Sequence, residues 1–92
     1  MENPENIINS ICTKYRHEPS VVANSKKVYQ SAVKSGLDQK HKSMALAVGA
    51  LYFYCKSSGK PVTMNQLLEM TPLYREEIDA VYADLKKKNI RY

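Results

Sequence analysis

Apolar side chains recur along this chain every three or four positions, the period of a helix, and no segment alternates with the period of a strand. Asn3 followed by Pro4 predicts an N-cap and a first helical residue. Behind them Ile7, Ile11 and Tyr15, with Ile8 and Cys12 alongside, form one stripe. The HEP sequence at 17–19 predicts the end of this helix, because the residue before a proline avoids the helical region. Ser20 then suits a second cap. Val21, Val22, Ser25, Val28, Tyr29, Ala32 and Val33 follow one face up to Gly36, a C-terminal stop. Lys26, Lys27, Gln30 and Lys34 fall on the other faces, giving an amphipathic helix with a basic outer side.

The third predicted helix, roughly 42–57, differs in kind. Its MALAVGALYFYC segment is apolar all round, which predicts a central helix with neighbours on most sides. Ala45, Ala47, Gly49 and Ala50 would let those neighbours approach closely. Tyr52, Phe53 and Tyr54 end this apolar run and are expected in the core, with the tyrosine hydroxyls turned to a polar partner or water. Gly59 and Pro61 mark the end of the helix. Thr63 and Gln66 fit a capping box opening a short fourth helix, about 63–70, with Leu67, Leu68 and Met70 apolar. After the TPL turn a fifth helix is predicted to about Lys88, carrying Ile78, Val81, Tyr82 and Leu85 on one face. Its acids Glu76, Glu77 and Asp79 come early and Lys86, Lys87 and Lys88 late, which suits the helix dipole. The pattern thus predicts an all-α, five-helix domain whose end, a short helix, a turn and a longer helix, has a helix-turn-helix outline.

The composition fits one compact domain over 1–92. Of the 92 residues 43% are hydrophobic and 25% charged, an ordinary globular balance. The apolar run of the third helix is far shorter than the ~20 residues of a membrane span. The polar, acidic N-terminus does not read as a signal sequence. These features predict an intracellular protein with no membrane role, cytoplasmic in a prokaryote or archaeon and nuclear in a eukaryote. Cys12 and Cys55 stand alone on apolar helix faces and are expected to be core thiols; no zinc site is suggested. His17 and His41 have no carboxylate or cysteine at ligand or triad spacing, so both are expected on the surface. The glycines are isolated, so no phosphate loop is read, and neither an enzyme nor a cofactor is expected.

Net charge is +5, which points to a polyanionic partner. The surplus is uneven. Residues 36–63 carry Lys40, Lys42, Lys56 and Lys60 against Asp38 alone, whereas 64–92 carry five charges of each sign.

The stretch ALYFYCKSSGKPVTMNQLLEMTPLYREEIDAVYADL resembles the back half of a cyclin-like repeat of transcription factor IIB and its archaeal counterpart, transcription factor B. The residues that carry the likeness are Leu51-Tyr52, Gly59-Lys60-Pro61, Thr63 and Glu77-Ile78. The segment SVVANSKKVYQSAVKSGLDQK at 20–40 is similar to the family's second helix and the basic turn after it, so the likeness spans about 5–88. It implies a cyclin-like fold and partners drawn from double-stranded DNA, the TATA-binding protein and RNA polymerase. It also implies phosphate contacts from Lys40 and Lys42 in the turn before the third helix and from Arg75 at the start of the fifth, with Lys60 and Lys56 extending the patch. Such contacts carry no base information and weaken with salt.

Several features depart from the family pattern. One repeat stands where the family has two, so the chain is a fragment or a single-repeat relative, which could clamp both sides of a promoter only as a homodimer. The fifth helix opens on Glu76, Glu77 and Asp79, where reading duplex DNA usually calls for Arg, Lys, Asn or Gln. Tyr74 stands where a Ser or Thr cap is usual. These acids leave open a second function, a protein-interaction module of the same fold that acts on the transcription machinery without touching DNA. A kinase-binding cyclin is a third reading, but the lysine and glutamate pair by which cyclin boxes hold a kinase is not recognisable.

Overall fold

The computed structural model describes residues 4–90. They form five α-helices, α1 (Glu5–Lys14), α2 (Pro19–Lys34), α3 (Ser43–Ser58), α4 (Met64–Met70) and α5 (Arg75–Lys87). A 3-10 turn, Leu37–Gln39, sits between α2 and α3. There is no strand among the described residues. The all-α pattern legible in the sequence is therefore the pattern of the fold.

The helix ends show local chemistry at work. The expected cap at Asn3 lies outside the described residues; Pro4 stands at the boundary and the helix begins at Glu5. The expected cap at Ser20 is displaced. Pro19 is already helical and Glu18 holds the extended boundary position, with ψ 152°. Proline suits the first helical position because its φ is preset and its missing N–H would have found no partner there. Ser20 turns its hydroxyl to the Glu18 carboxylate instead, at 3.4 Å.

Helices α1, α3 and α5 close alike, on a left-handed residue followed by an N–H that reaches back five positions. The left-handed residues are Arg16, Gly59 and Asn89. The bonds are His17 to Cys12 at 2.8 Å, Lys60 to Cys55 at 2.9 Å and Ile90 to Leu85 at 3.3 Å. Such bonds satisfy carbonyls that a helix end otherwise leaves bare. Thr63 and Gln66 cap α4 reciprocally, at 3.2 and 3.3 Å.

Helix α3 is the hub. Its residues from Ala45 to Leu51, and Phe53, Tyr54 and Cys55, are buried, with α1, α2 and α5 packed around them. Burial of a leucine such as Leu46 or Leu51 contributes about 1.5–3 kcal/mol. Ile8, Ile11, Val21, Val28, Ile78, Val81 and Leu85 meet these residues in one continuous core. Gly49 brings α5 close, because a β-carbon there would overlap the Val81 side chain. The aromatic trio divides. Phe53 and Tyr54 are buried, and the Tyr54 hydroxyl accepts a bond from Asn24 Nδ2 at 3.1 Å. Tyr52 is partly exposed and meets Tyr82 edge-on at 5.3 Å.

Helix α4 is peripheral. Of its seven residues only Leu67 is buried, and Thr71 beyond it returns its hydroxyl to the Leu67 carbonyl at 2.9 Å. No helix among the described residues is long and apolar enough to cross a membrane.

Candidate nucleic-acid interface

Gly36, at φ 86°, ends α2, and Leu37 buries itself to anchor the 3-10 turn. This fixes the short segment 40–42 ahead of α3, where Lys40 closes the 3-10 turn and Lys42 stands at the extended boundary position before α3 with no side-chain cap. Arg75 opens α5. The three cations are well exposed, their side chains at 67%, 77% and 70% respectively. Lys42 lies 3.8 Å from Glu77 on the first turns of α5, so the start of α3 and the start of α5 share an edge of the molecule. Lys56 and Lys60 belong elsewhere. They sit at the far end of α3, about 20 Å along the helix from Lys42 at 1.5 Å per residue. The five expected phosphate contacts are thus two groups, not one patch.

Each of the five already has an internal partner. Lys40 pairs with Asp84 at 3.2 Å, and Arg75 with Asp79 one turn on at 3.8 Å. Lys60 reaches Glu18 at 3.3 Å, and Lys56 lies over the Tyr52 ring, 5.5 Å from its centre. Pairs this exposed are worth about 0–1 kcal/mol, so a phosphate can compete for the lysine.

His41 is not the surface residue that its isolation in sequence suggested. Its side chain is 11% exposed, and Nε2 lies 2.6 Å from Asp84 Oδ2. The bond from His41 is the main reason the Asp84 carboxyl titrates below the ordinary carboxylate range; Lys40 adds to it, and together they outweigh the opposing effect of burial. The pairing joins the turn before α3 to the last turns of α5 across more than forty residues of sequence, so spacing in the chain gave no hint of it.

A further cationic group was also hidden. Lys87 and Lys88, read from sequence as complements to the α5 dipole, line a cleft of about 500 Å³ with Ser35, Gly36, Lys40 and Asp84. By contrast, the outward face of α5 presents Glu76, Asp79, Ala80 and Ala83. Tyr74 precedes it, exposed and making no side-chain cap.

Elsewhere lie two buried thiols and the His17 imidazole. Burial pushes the Cys12 thiol up to about 11 and the Cys55 thiol up to about 12, which keeps both protonated and weakly nucleophilic at neutral pH. His17 Nε2 is buried with no hydrogen-bond partner among the described residues, and desolvation lowers the pKa of the ring. No group of three or more acids, histidines and cysteines fit for a metal ion occurs among the described residues. Compared with family models, curated proteins and solved structures, the chain matches none.

Proposed function

We propose that this chain is a non-catalytic module of the transcription-initiation machinery, folded as a cyclin-like repeat of the transcription factor IIB kind with α4 and α5 as its helix-turn-helix. It would bind promoter DNA through phosphates, together with the TATA-binding protein or RNA polymerase. The observation that carries this reading is the shared edge of α3 and α5. There Lys40, Lys42 and Arg75, the positions at which the family resemblance implies phosphate contact, are all exposed. The cations themselves are exposed and can exchange a carboxylate for a phosphate; Lys42 is the costliest to release, because its partner Glu77 already has Oε2 buried with no hydrogen-bond partner among the described residues. The acidic start of α5 disfavours base reading in the major groove, so the DNA contribution is to the backbone alone.

A second reading draws on the same surface. Glu76 and Asp79 face outward beside Ala80 and Ala83, whose short side chains allow close approach. On this reading α5 meets a basic protein partner and the module acts as an accessory or inhibitor without DNA.

A salt titration separates the two. Three phosphate contacts give a slope of about −2.7 in log affinity against log salt, or roughly a 40-fold loss between 50 and 200 mM. Binding to a promoter duplex is measured with and without TATA-binding protein, for the native chain and for Lys40→Glu/Lys42→Glu. The first reading expects that slope and weaker binding by the double variant. Absence of duplex binding at low salt, with and without the partner, sinks it. Capture of TATA-binding protein or polymerase with no duplex binding, weakened by Glu76→Lys/Asp79→Lys, supports the second.

A further inference from the structure

We propose that the cleft between the turn after α2 and the end of α5 is a binding site for a phosphate group, and that Asp84 is the resident anion which the phosphate displaces from Lys40. The site rests on the polyanion reading above only for the source of its ligand. It takes in Lys87 and Lys88, which the family resemblance does not implicate.

Three lysines, Lys40, Lys87 and Lys88, line this concave surface, and Asp84 is the one carboxylate lining it among the described residues. Gly36 forms part of the wall without a side chain; even a β-carbon there would meet nothing within 4 Å, so the approach is open. Two helix C-termini oppose an anion here, those of α2 and α5, each equivalent to about half a negative charge over its last turn. Together they cancel about one lysine, and Asp84 cancels another. The remaining balance is positive and suits one phosphate, not a neutral ligand.

The arrangement around Asp84 makes the exchange cheap. Its Oδ2 atom receives both Lys40, at 3.2 Å, and His41, at 2.6 Å. When Lys40 swings to a phosphate, the bond from His41 remains, so no carboxylate is stranded without a partner. Lys40 is two-thirds exposed and free to move, whereas His41 is enclosed and is not. An exposed ion pair of this kind is worth no more than about a fivefold preference. Asp84 therefore tempers anion affinity without abolishing it.

A phosphodiester backbone and a free polyphosphate offer the same chemistry, and the experiment distinguishes them. The full chain is titrated with inorganic pyrophosphate and, separately, with a short DNA duplex, while backbone amide resonances are followed by NMR. The site predicts that shifts centre on 35–40 and 84–88 with pyrophosphate. It predicts that Asp84→Asn tightens binding by up to about fivefold and that Lys87→Glu/Lys88→Glu weakens it at least as much. The same pattern with the duplex identifies a nucleic-acid backbone. Pyrophosphate binding at the cleft with no duplex binding keeps the site, assigns it to free polyphosphate and removes the promoter reading. Duplex binding that shifts other residues and ignores Lys87→Glu/Lys88→Glu keeps the promoter reading and overturns this one. Amides at 35–40 that stay still under both ligands overturn the site outright, whether or not the Asp84 variant folds.

Discussion

Replacing Gly49 by alanine sets two physical effects of opposite sign against each other. Within a helix alanine is favoured over glycine by about 1 kcal/mol, so helix propensity alone predicts a more stable protein. Packing predicts the reverse. A β-carbon at position 49 would lie 2.6 Å from the Val81 β-carbon and nearer still to Cγ1, whereas carbon atoms rest at about 3.5–4.0 Å. The Val81 β-carbon is fixed to the α5 backbone, so no rotamer change relieves the overlap. Helix α5 must back away by about 1 Å, and a gap of that size forfeits up to half of the dispersion at each contact it opens. Ile78, Val81 and Leu85, all fully buried, share in that loss. Overpacking costs about 1–3 kcal/mol, and a clash borne by backbone belongs near the top of that range.

Subtracting the gain in propensity leaves Gly49→Ala destabilised by about 2 kcal/mol. For a domain of this size the melting temperature should fall by about 8–16 °C. Urea unfolding followed by far-UV circular dichroism reads the loss directly. Val81→Ala should cost about 2 kcal/mol in the native background and less beside Gly49→Ala, where it relieves the overlap with Cγ1 but not that with the β-carbon. A Gly49→Ala protein as stable as the native one, or more so, would refute the close crossing of α3 and α5.

Three other outcomes follow from single side chains. Ser25 is fully buried and its Oγ has no hydrogen-bond partner among the described residues; Ser25→Ala should therefore leave stability unchanged or raise it by up to about 1 kcal/mol in calorimetry, and a clear loss would show that the hydroxyl is satisfied. Asp84 has a depressed carboxyl pKa in the folded state, so its contribution is complete above the unfolded value of about 3.9 and is lost as pH falls through the folded one. The difference in urea midpoint between the native chain and Asp84→Asn should accordingly be constant near neutrality and close on acidification below about pH 4, while a difference that widens there would contradict the sign. Thr63→Ala removes half of the α4 capping box and should lower stability by about 1 kcal/mol in a thermal melt, with Thr63→Ser losing little.

The parts of this fold that were legible in sequence are those written in local chemistry. Gly36 and Gly59 announced two helix ends because the left-handed conformation is cheap for glycine. Thr63 and Gln66 announced α4 because their reciprocal bonds span three residues. Arg16 and Asn89 adopt the same left-handed conformation without announcing it, and the HEP signal accordingly placed the end of α1 beyond its true last residue, Lys14. The apolar girdle of α3 gave its central place. The candidate site was legible only by halves. Exposure of Lys40, Lys42 and Arg75 followed from their place in turns and at a helix start. Their carboxylate partners Asp84 and Glu77 depend on how α5 crosses α3, which no periodicity encodes. His41 was misplaced for the same reason, and Lys87 and Lys88 passed as dipole complements because their neighbours come from the turn after α2.

The contrast between α3 and α4 has a consequence for hydrogen exchange. Amides in the middle of α3 are enclosed by three other helices, so they meet solvent only when the whole domain opens, and their exchange should report the global free energy of unfolding. Helix α4 holds on by Leu67, by Met64, Leu68 and Met70 at the margin of the core, and by its cap. Its amides can exchange through a local opening that leaves the α1, α2, α3 and α5 core standing. The segment entering α5 is thereby carried on the least protected element of the molecule. A partner that engages Tyr74 or Arg75 would slow exchange in α4 by suppressing its local opening, and would slow α3 by the amount that binding adds to the global stability.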